Sequence, residues 1–437
     1  MIIGNRNWPE QIEAKITDSI RFRFSLALLL VLAVCFVLQV VSPLRLNTDA
    51  IVLLSMGESG AHGEGFLDDG QKTVFPPGYP ALLALLLSLG LAHSWVIVGL
   101  NMVFLSTGLI ATRFLLIREF FEDRAAVLTI CSFSLLSYVA VKHSTIPLTD
   151  VPFFCCSMCC IAAMSRIATA DSNWRFVILA GAAWFLAMAA ISVRRAGVAL
   201  VPPLAFAIIR SSQFGALLKQ LSLRTKLIAA VSSLLMCIGT IYVVLRTSSL
   251  SDFGSVEKVK IYNLVLQILS YRLTELGELF GNVPLSKMPA RLQIMVPWMG
   301  FFLFLLVLSG LATKRRKISS TEIFLVCYMG ILFGWPYYDA RFWLPVIPLV
   351  GAYSVLAVKT LNFPRVAVAM YCIVFATLGF GAIAYSTRIS FAGSKFPDKY
   401  GDGYLRPTYC AAFHSCRDGG DPNKVNAKAL RLLREYE

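Results

Sequence analysis

The sequence predicts an all-α, polytopic membrane protein with about eleven transmembrane helices and further interfacial helices on the outer membrane face. Two observations predict this class. Hydrophobic residues make up 57% of the 437 residues and charged residues only 15%, and apolar runs long enough to cross ~30 Å of hydrocarbon recur along nearly the whole chain. We therefore expect one integral-membrane domain, residues 1–387, followed by a short extracytoplasmic tail, residues 388–437, with no separate soluble catalytic domain.

The predicted spans are runs with few or no Asp, Glu, Lys or Arg residues. They cover residues 24–44, 95–112, 125–141, 151–165, 176–193, 196–209, 227–245, 292–313, 323–338, 342–358 and 366–387. If the N-terminus is cytoplasmic, the segments between spans that hold most of the Lys and Arg are also cytoplasmic, which is the usual bias. The formal net charge of +15 therefore reflects membrane orientation, and we expect no nucleic-acid partner.

The stretch FPPGYPALLALLLSLG, residues 75–90, begins with adjacent prolines and continues as an apolar run. Counting residues 76–91 as a crossing would move the basic cluster 314–317 to the outer face, against the charge bias. We therefore expect a short helix half immersed in the outer interface, because Pro76 and Pro77 suit a first helical turn. A short crossing with a tight turn at Gly90 is the alternative.

Two outer loops, residues 43–91 and 246–291, carry their own helical signals. In the first, Thr48 or Asp49 is suited to cap a helix. In the second, apolar residues at helical spacing lie opposite a set of charged side chains, which predicts an amphipathic helix on the membrane surface. The charged set is Arg272, Glu275 and Glu278.

Acidic residues in the first outer loop leave open whether the protein binds a divalent cation. Carboxylate oxygens suit a hard cation, but the spacing matches no known metal-binding loop, and a solvated acidic loop is the alternative. No other cofactor is expected. The residues concerned are Glu58, His62, Glu64, Asp68 and Asp69.

The cysteines fall into two groups. Four lie in the apolar run FFCCSMCCIAAM, where cysteine usually serves as a small hydrophobic residue and not as a ligand. Two more lie in the tail, where an oxidising compartment would allow a disulfide and free thiols are the alternative. The first group is Cys155, Cys156, Cys159 and Cys160, and the second is Cys410 and Cys416.

Ionisable residues gather at the predicted outer ends of the helices. Charged groups at membrane depth are costly, so they suggest function. Simpler roles remain open: a helix cap for Asp49, a helix-end residue for Asp150, and snorkelling to the interface for the arginines between the fifth and sixth spans. The set is Asp49, Lys142, His143, Asp150, Arg194, Arg195, Asp339 and Arg341.

The order of these pieces resembles the GT-C glycosyltransferases, in particular the branch that contains protein O-mannosyltransferases and lipid A aminoarabinose transferases. The resemblance covers about the first 360 residues and rests on motifs that are individually weak but correctly ordered. They are Asp49, FPPGYP at 75–80, PLTD at 147–150, RRAG at 194–197 and YYDARFWLPVIP at 337–348.

The resemblance implies transfer of a sugar from a polyprenyl-phosphate carrier to a lipid, glycan or protein acceptor, with inversion, at the outer face of a bacterial inner membrane. Asp49 would take the acceptor proton and Asp150 would orient the acceptor or assist Asp49. Cationic residues would stabilise the leaving phosphate, and two tyrosines would bind substrate. The cationic candidates are Arg195 and Arg341, then Arg194 and Lys142, and the tyrosines are Tyr79 and Tyr338.

The sequence departs from both named subgroups. Phe75 stands where the aminoarabinose branch has a Lys, and Ala50 follows Asp49 where protein O-mannosyltransferases carry an acidic pair. The donor sugar and the acceptor therefore remain open. The main alternative is a transporter or flippase of a lipid-linked saccharide, although such proteins often show internal repeats and none is visible here. A polysaccharide polymerase or ligase is a further alternative.

Overall fold

The computed structural model describes residues 8–41, 45–68, 70–220, 261–314 and 318–391. Most of these residues are helical. In chain order the α-helices are α1 Trp8–Val37, α2 Thr48–Ala61, α3 Gly78–Ser88, α4 Ser94–Glu119, α5 Arg124–Leu136, α6 Tyr138–His143, α7 Asp150–Ile167, α8 Asn173–Val193, α9 Val201–Ile209, α10 Ser212–Gln220, α11 Ile261–Gly281, α12 Ala290–Gln293, α13 Val296–Thr313, α14 Ser320–Phe333, α15 Ile347–Thr360 and α16 Arg365–Ser390. Short 3-10 helices cover Leu38–Val41, Arg195–Leu200, Leu285–Lys287 and Ala340–Val346, and the strands Leu67–Asp68 and Gln71–Lys72 pair antiparallel.

Seven helical segments of the described chain are long and apolar enough to cross a membrane, so the protein is a membrane protein. The segments are Ser19–Val40, Ser94–Glu119, Asp150–Ile167, Asn173–Val193, Ala290–Thr313, Ala340–Thr360 and Arg365–Arg388. The expected count of about eleven is not confirmed. The predicted span 227–245 lies outside the described residues, as do the tail cysteines Cys410 and Cys416.

Three of the predicted spans are not continuous helices of spanning length. The run 125–141 is interrupted at Ser137, where α5 ends and α6 begins. The run 196–209 starts as a 3-10 helix and becomes α-helical only at Val201, and the run 323–338 contains α14, which ends at a cap on Gly334. Prolines at the start of α9 and after α14 lack the N–H that would continue the hydrogen-bond ladder.

The first outer loop forms the helix pair α2 and α3. Asn47 caps α2 by accepting a hydrogen bond from the Ala50 N–H at 2.9 Å, so the expectation that Thr48 or Asp49 caps this helix is wrong. Helix α3 has 11 residues, which at ~1.5 Å per residue reach only about half of a ~30 Å hydrocarbon core. It ends before Gly90, whose φ of 68° turns the chain sharply.

Helix α11 has the expected polar and apolar faces, but their orientation differs from the prediction. We expected the charged face to lie in water, yet Arg272, Glu275 and Glu278 are buried inside the protein. The apolar residues Leu276 and Leu279 are buried with them, and the exposed residues Val265 and Leu269 lie nearer the start of the helix. The charged side chains are buried because they find hydrogen-bond and ion-pair partners inside the protein.

The buried core is centred on α7, which packs between α4 and α8. Its side chains Phe153, Phe154 and Met158 are buried. The α7 cysteines are free thiols, and the Cys160 thiol donates to the Ala183 carbonyl of α8 at 3.1 Å. This packing brings the N-terminus of α7 and the C-terminus of α8 to the same end of the bundle.

Candidate active site at the helix ends

Arg341 connects two carboxylates that are far apart in the sequence. It follows Asp339, whose carboxylate accepts the Arg341 backbone N–H at 3.0 Å and lies 2.8 Å from the Arg341 Nε. The other side of the same guanidinium donates to the Asp49 carboxylate, which α2 presents in its first turn. The Asp49 side chain is 27% exposed and that of Asp339 35%, so this part of the site is open to an incoming molecule.

A second ion pair joins Asp150 to Arg194. Asp150 is the first residue of α7, and Arg194 is the C-terminal cap residue of α8, so the antiparallel packing of the two helices brings them together. The Asp150 side chain is only 2% exposed. The Arg194 guanidinium compensates the charge that Asp150 brings into the protein interior.

The ion pairs of Arg341 and Arg194 form one cluster around the ring of Phe342. The guanidinium carbon of Arg194 lies 4.9 Å from the ring centroid and that of Arg341 lies 5.5 Å from it. Both distances are typical of cation–π contacts. Asp150 also interacts electrostatically with Arg341. We call the set Asp49, Asp150, Asp339, Arg194 and Arg341 the charge cluster.

Two buried residues of α11 hold the backbone segment that carries Arg341. Glu275 accepts the Asp339 backbone N–H at 2.7 Å and the Trp343 indole N–H at 2.8 Å, and it pairs with Arg272 at 2.9 Å. Arg272 in turn donates to the Tyr337 carbonyl. The backbone is therefore fixed on both sides of Arg341, and this support was missed because the sequence suggested a surface helix.

A neighbouring polar group on α11 anchors α6 and the chain after α11. Glu278 accepts the Tyr138 hydroxyl at 2.7 Å, and the Asn282 side chain accepts the Tyr138 backbone N–H at 2.7 Å. Tyr338, predicted to bind substrate, packs edge-on against Tyr271 with ring centroids 5.7 Å apart. Tyr338 is partly exposed, so its ring forms part of the accessible surface beside Asp339.

His143 lies buried at the end of α6, and its Nδ1 has no hydrogen-bond partner among the residues that the structure describes. Burial lowers the pKa of His143 well below its usual value, and the positive charges of Lys142, Arg341 and Arg194 lower it further. The imidazole is therefore neutral at physiological pH. Sequence reasoning noted His143 without assigning it a role.

The remaining predicted site residues lie on segments next to those that carry the charge cluster. Tyr79 is buried where α3 packs against α2, and α3 also touches the end of α8, because Gly78 lies so close to Ser192 that a Cβ there would come within 2.5 Å of the Ser192 hydroxyl. Lys142 is half-buried next to His143, and half-buried Arg195 begins the 3-10 helix after Arg194.

The first outer loop does not assemble a metal site from its described residues. Within the described chain, no three His, Cys, Asp or Glu side chains are grouped so that they could hold a metal ion. The Glu58 carbonyl meets His62 Nδ1 at 2.9 Å, and the Ser59 hydroxyl donates to Glu64 at 3.2 Å. Asp69 lies outside the described residues.

The opposite end of the bundle gathers a different set of charges. Lys314 lies 3.3 Å from Glu119 and 2.8 Å from Glu322. Arg118 donates to the Thr169 hydroxyl there, and Arg210 donates to the Ile318 carbonyl at 2.6 Å. Segments that the charge bias assigns to one side of the membrane are thus in contact with one another.

Comparison with known proteins adds no further assignment. No family model matches the sequence, and no curated protein matches it. The function is therefore argued from the geometry of the charge cluster.

Proposed function

We propose that the protein is a glycosyltransferase that moves a sugar from a polyprenyl-phosphate carrier to an acceptor hydroxyl at the extracytoplasmic membrane face, with inversion. The observation that carries this proposal is the contact between Arg341 and Asp49 in a partly exposed cluster beside the Asp150–Arg194 pair. Such a site offers a carboxylate for the acceptor and guanidinium groups for a phosphate, next to helices that suit a lipid-linked donor.

Asp49 is the proposed base. The acceptor oxygen attacks the anomeric carbon as the bond between that carbon and the carrier oxygen breaks, and the acceptor proton moves to the Asp49 carboxylate. In the structure Asp49 is paired with Arg341. Donor binding would draw Arg341 toward the carrier phosphate, which frees Asp49 to accept the proton.

Arg341 and Arg194 are the proposed phosphate ligands. The carrier phosphate gains negative charge as it leaves, and guanidinium groups bind phosphate oxygens through paired hydrogen bonds. Asp150 is the proposed partner of Asp49: its pairing with Arg194 and its 2% exposure support a role in holding Arg194 in place beside the acceptor. Arg195 and Lys142 are further basic residues within the same helix ends.

For the membrane arrangement we propose eleven crossings, a cytoplasmic N-terminus and a location in a bacterial inner membrane. Support comes from the two ends of the bundle. The segments expected outside meet in the charge cluster, where Asp49 contacts Arg341 and Asp150 contacts Arg194. The segments expected inside meet around Lys314.

The test is a transfer assay with the purified protein in liposomes and a panel of radiolabelled polyprenyl-phosphate sugars. We expect release of label from one carrier to an acceptor, and loss of at least about 100-fold in rate for Asp49→Asn. The matched control is Glu122→Gln at the opposite end, which should retain full activity. Full activity of Asp49→Asn would remove Asp49 from its role, and movement of intact carrier across the bilayer without transfer would favour a flippase.

A further inference from the structure

The end of the bundle opposite the charge cluster contains a pocket of about 430 Å³. It lies between the C-terminal part of α4, the turn after α7 and the first turns of α8. Three arginines line it together with a single carboxylate, that of Asp171. The arginines are Arg118, Arg166 and Arg175.

The positive charge of this pocket is only partly compensated. Arg175 pairs with Asp171 at 2.6 Å. Arg118 donates to the neutral Thr169 hydroxyl, and Arg166 lies 4.1 Å above the Phe114 ring. Within the described part of the chain, neither arginine has a carboxylate within ion-pair distance. Two guanidinium groups are therefore available to an anion.

The pocket also has an apolar wall that continues along a lipid-facing helix. Ile178 and Leu179 of α8 line it, and Ile178, Trp174 and Phe185 are exposed on the same helix. An exposed Trp next to the end of a spanning helix is typical of the membrane interface. A soluble anion needs no such wall, whereas a phospholipid presents a phosphate followed by apolar chains.

We propose that this pocket binds the headgroup phosphate of an anionic phospholipid, with the acyl chains lying along the exposed face of α8. Basic pockets between spanning helices have the charge and the position that anionic headgroups require. This inference concerns the opposite end of the molecule from the charge cluster and is independent of sugar transfer.

The experiment is native mass spectrometry of the full chain in a neutral detergent, with phosphatidylglycerol or phosphatidylcholine added in parallel titrations. We expect phosphatidylglycerol to bind at lower concentration. The double variant R118Q/R166Q should weaken its binding by roughly 25-fold, at about fivefold per arginine. R166K, which keeps the charge, should bind more tightly than R166Q.

The matched control is Arg124→Gln, because Arg124 is also exposed at this end but does not line the pocket. It should bind phosphatidylglycerol as the unmodified protein does. Equal affinity for the two lipids, unchanged binding by R118Q/R166Q, or equal weakening in R124Q would overturn the proposal. Binding of inorganic phosphate at the same concentration as phosphatidylglycerol would also overturn it, because the acyl chains would then add nothing to the affinity.

Discussion

Arg341 donates to the carboxylate of Asp49 across a sequence separation of 292 residues. The contact joins the start of α2 to the 3-10 helix before α15, and the Phe342 ring connects it to the Arg194–Asp150 pair. Charged residues that the sequence places at separate helix ends are thus in contact with one another in the charge cluster. The proposed chemistry depends on exchanging the Arg341–Asp49 contact for a contact between Arg341 and phosphate.

Replacing Arg341 tests the phosphate assignment. Arg341→Ala should weaken binding of a polyprenyl-phosphate sugar by roughly 10- to 100-fold, because hydrogen bonds to a charged group are lost. Arg341→Lys keeps the charge but loses the paired hydrogen-bond geometry of the guanidinium. Its donor affinity should therefore lie between those of the unmodified protein and Arg341→Ala. Donor affinity is measured by equilibrium binding of the radiolabelled donor. Unchanged affinity in the alanine variant would contradict the assignment.

Removing one partner of the Glu275–Arg272 pair should destabilise the protein more than removing both. Glu275→Gln leaves the fully buried Arg272 without its counter-charge, which we expect to destabilise the protein by about 3–5 kcal/mol. Arg272→Met combined with Glu275→Gln should recover part of that loss, since neither variant side chain is charged. The measurement is thermal unfolding in detergent. A double variant no more stable than Glu275→Gln would show that the ion pair is not the cause.

Gly300 permits the close packing of α11 against α13. A Cβ at this position would overlap the Leu273 carbonyl, and one at Gly277 would overlap the Val296 carbonyl. Gly300→Ala should therefore force the helices apart and lower the unfolding temperature. Gly181→Ala is the control, because a Cβ there meets no atom within 4 Å and alanine favours helix by about 0.5–1 kcal/mol. Equal unfolding temperatures for the two variants would refute the packing argument.

His143 should make stability depend on pH. Its pKa in the folded protein is lowered by burial and by Lys142, Arg341 and Arg194, whereas the unfolded value is about 6.5. Below that pH the unfolded chain binds more protons than the folded one, so the stability present above pH ~6.5 is lost as the pH falls. The unfolding temperature should drop between pH ~7.5 and ~5.

The control for this prediction is His143→Gln, which cannot titrate. Its unfolding temperature should change less over the same pH interval, even if it is lower at every pH. The comparison is between the slopes of unfolding temperature against pH, so the contributions of other titrating groups, which both proteins share, cancel. Parallel curves for the two proteins would show that His143 is not the source of the acid sensitivity.

Part of this structure follows from the sequence alone. Apolar runs require helices in a membrane because every backbone polar group must be satisfied within the segment. The shortness of α3 was predictable too, since two prolines and Gly90 bound it. Charged residues at helix ends, such as Asp49 and Arg341, could be selected because their burial is costly.

Other features could not be predicted, for identifiable physical reasons. Helical spacing shows that Arg272, Glu275 and Glu278 share a face, but it does not show whether that face meets water or the protein interior. The pairing of Asp49 with Arg341 depends on how α2 packs, which no local pattern encodes. Asn47 caps α2 because the helix begins at Thr48, two residues earlier than a cap at Asp49 would require.

The inward-facing charges of α11 have a consequence for biogenesis. A segment carrying Arg272, Glu275 and Glu278 would be expelled from hydrocarbon if it met the bilayer by itself. Its partners, Trp343 and the backbone around Asp339, are synthesised later than α11. Glu275 therefore gains these two contacts only after the chain beyond residue 343 has been synthesised.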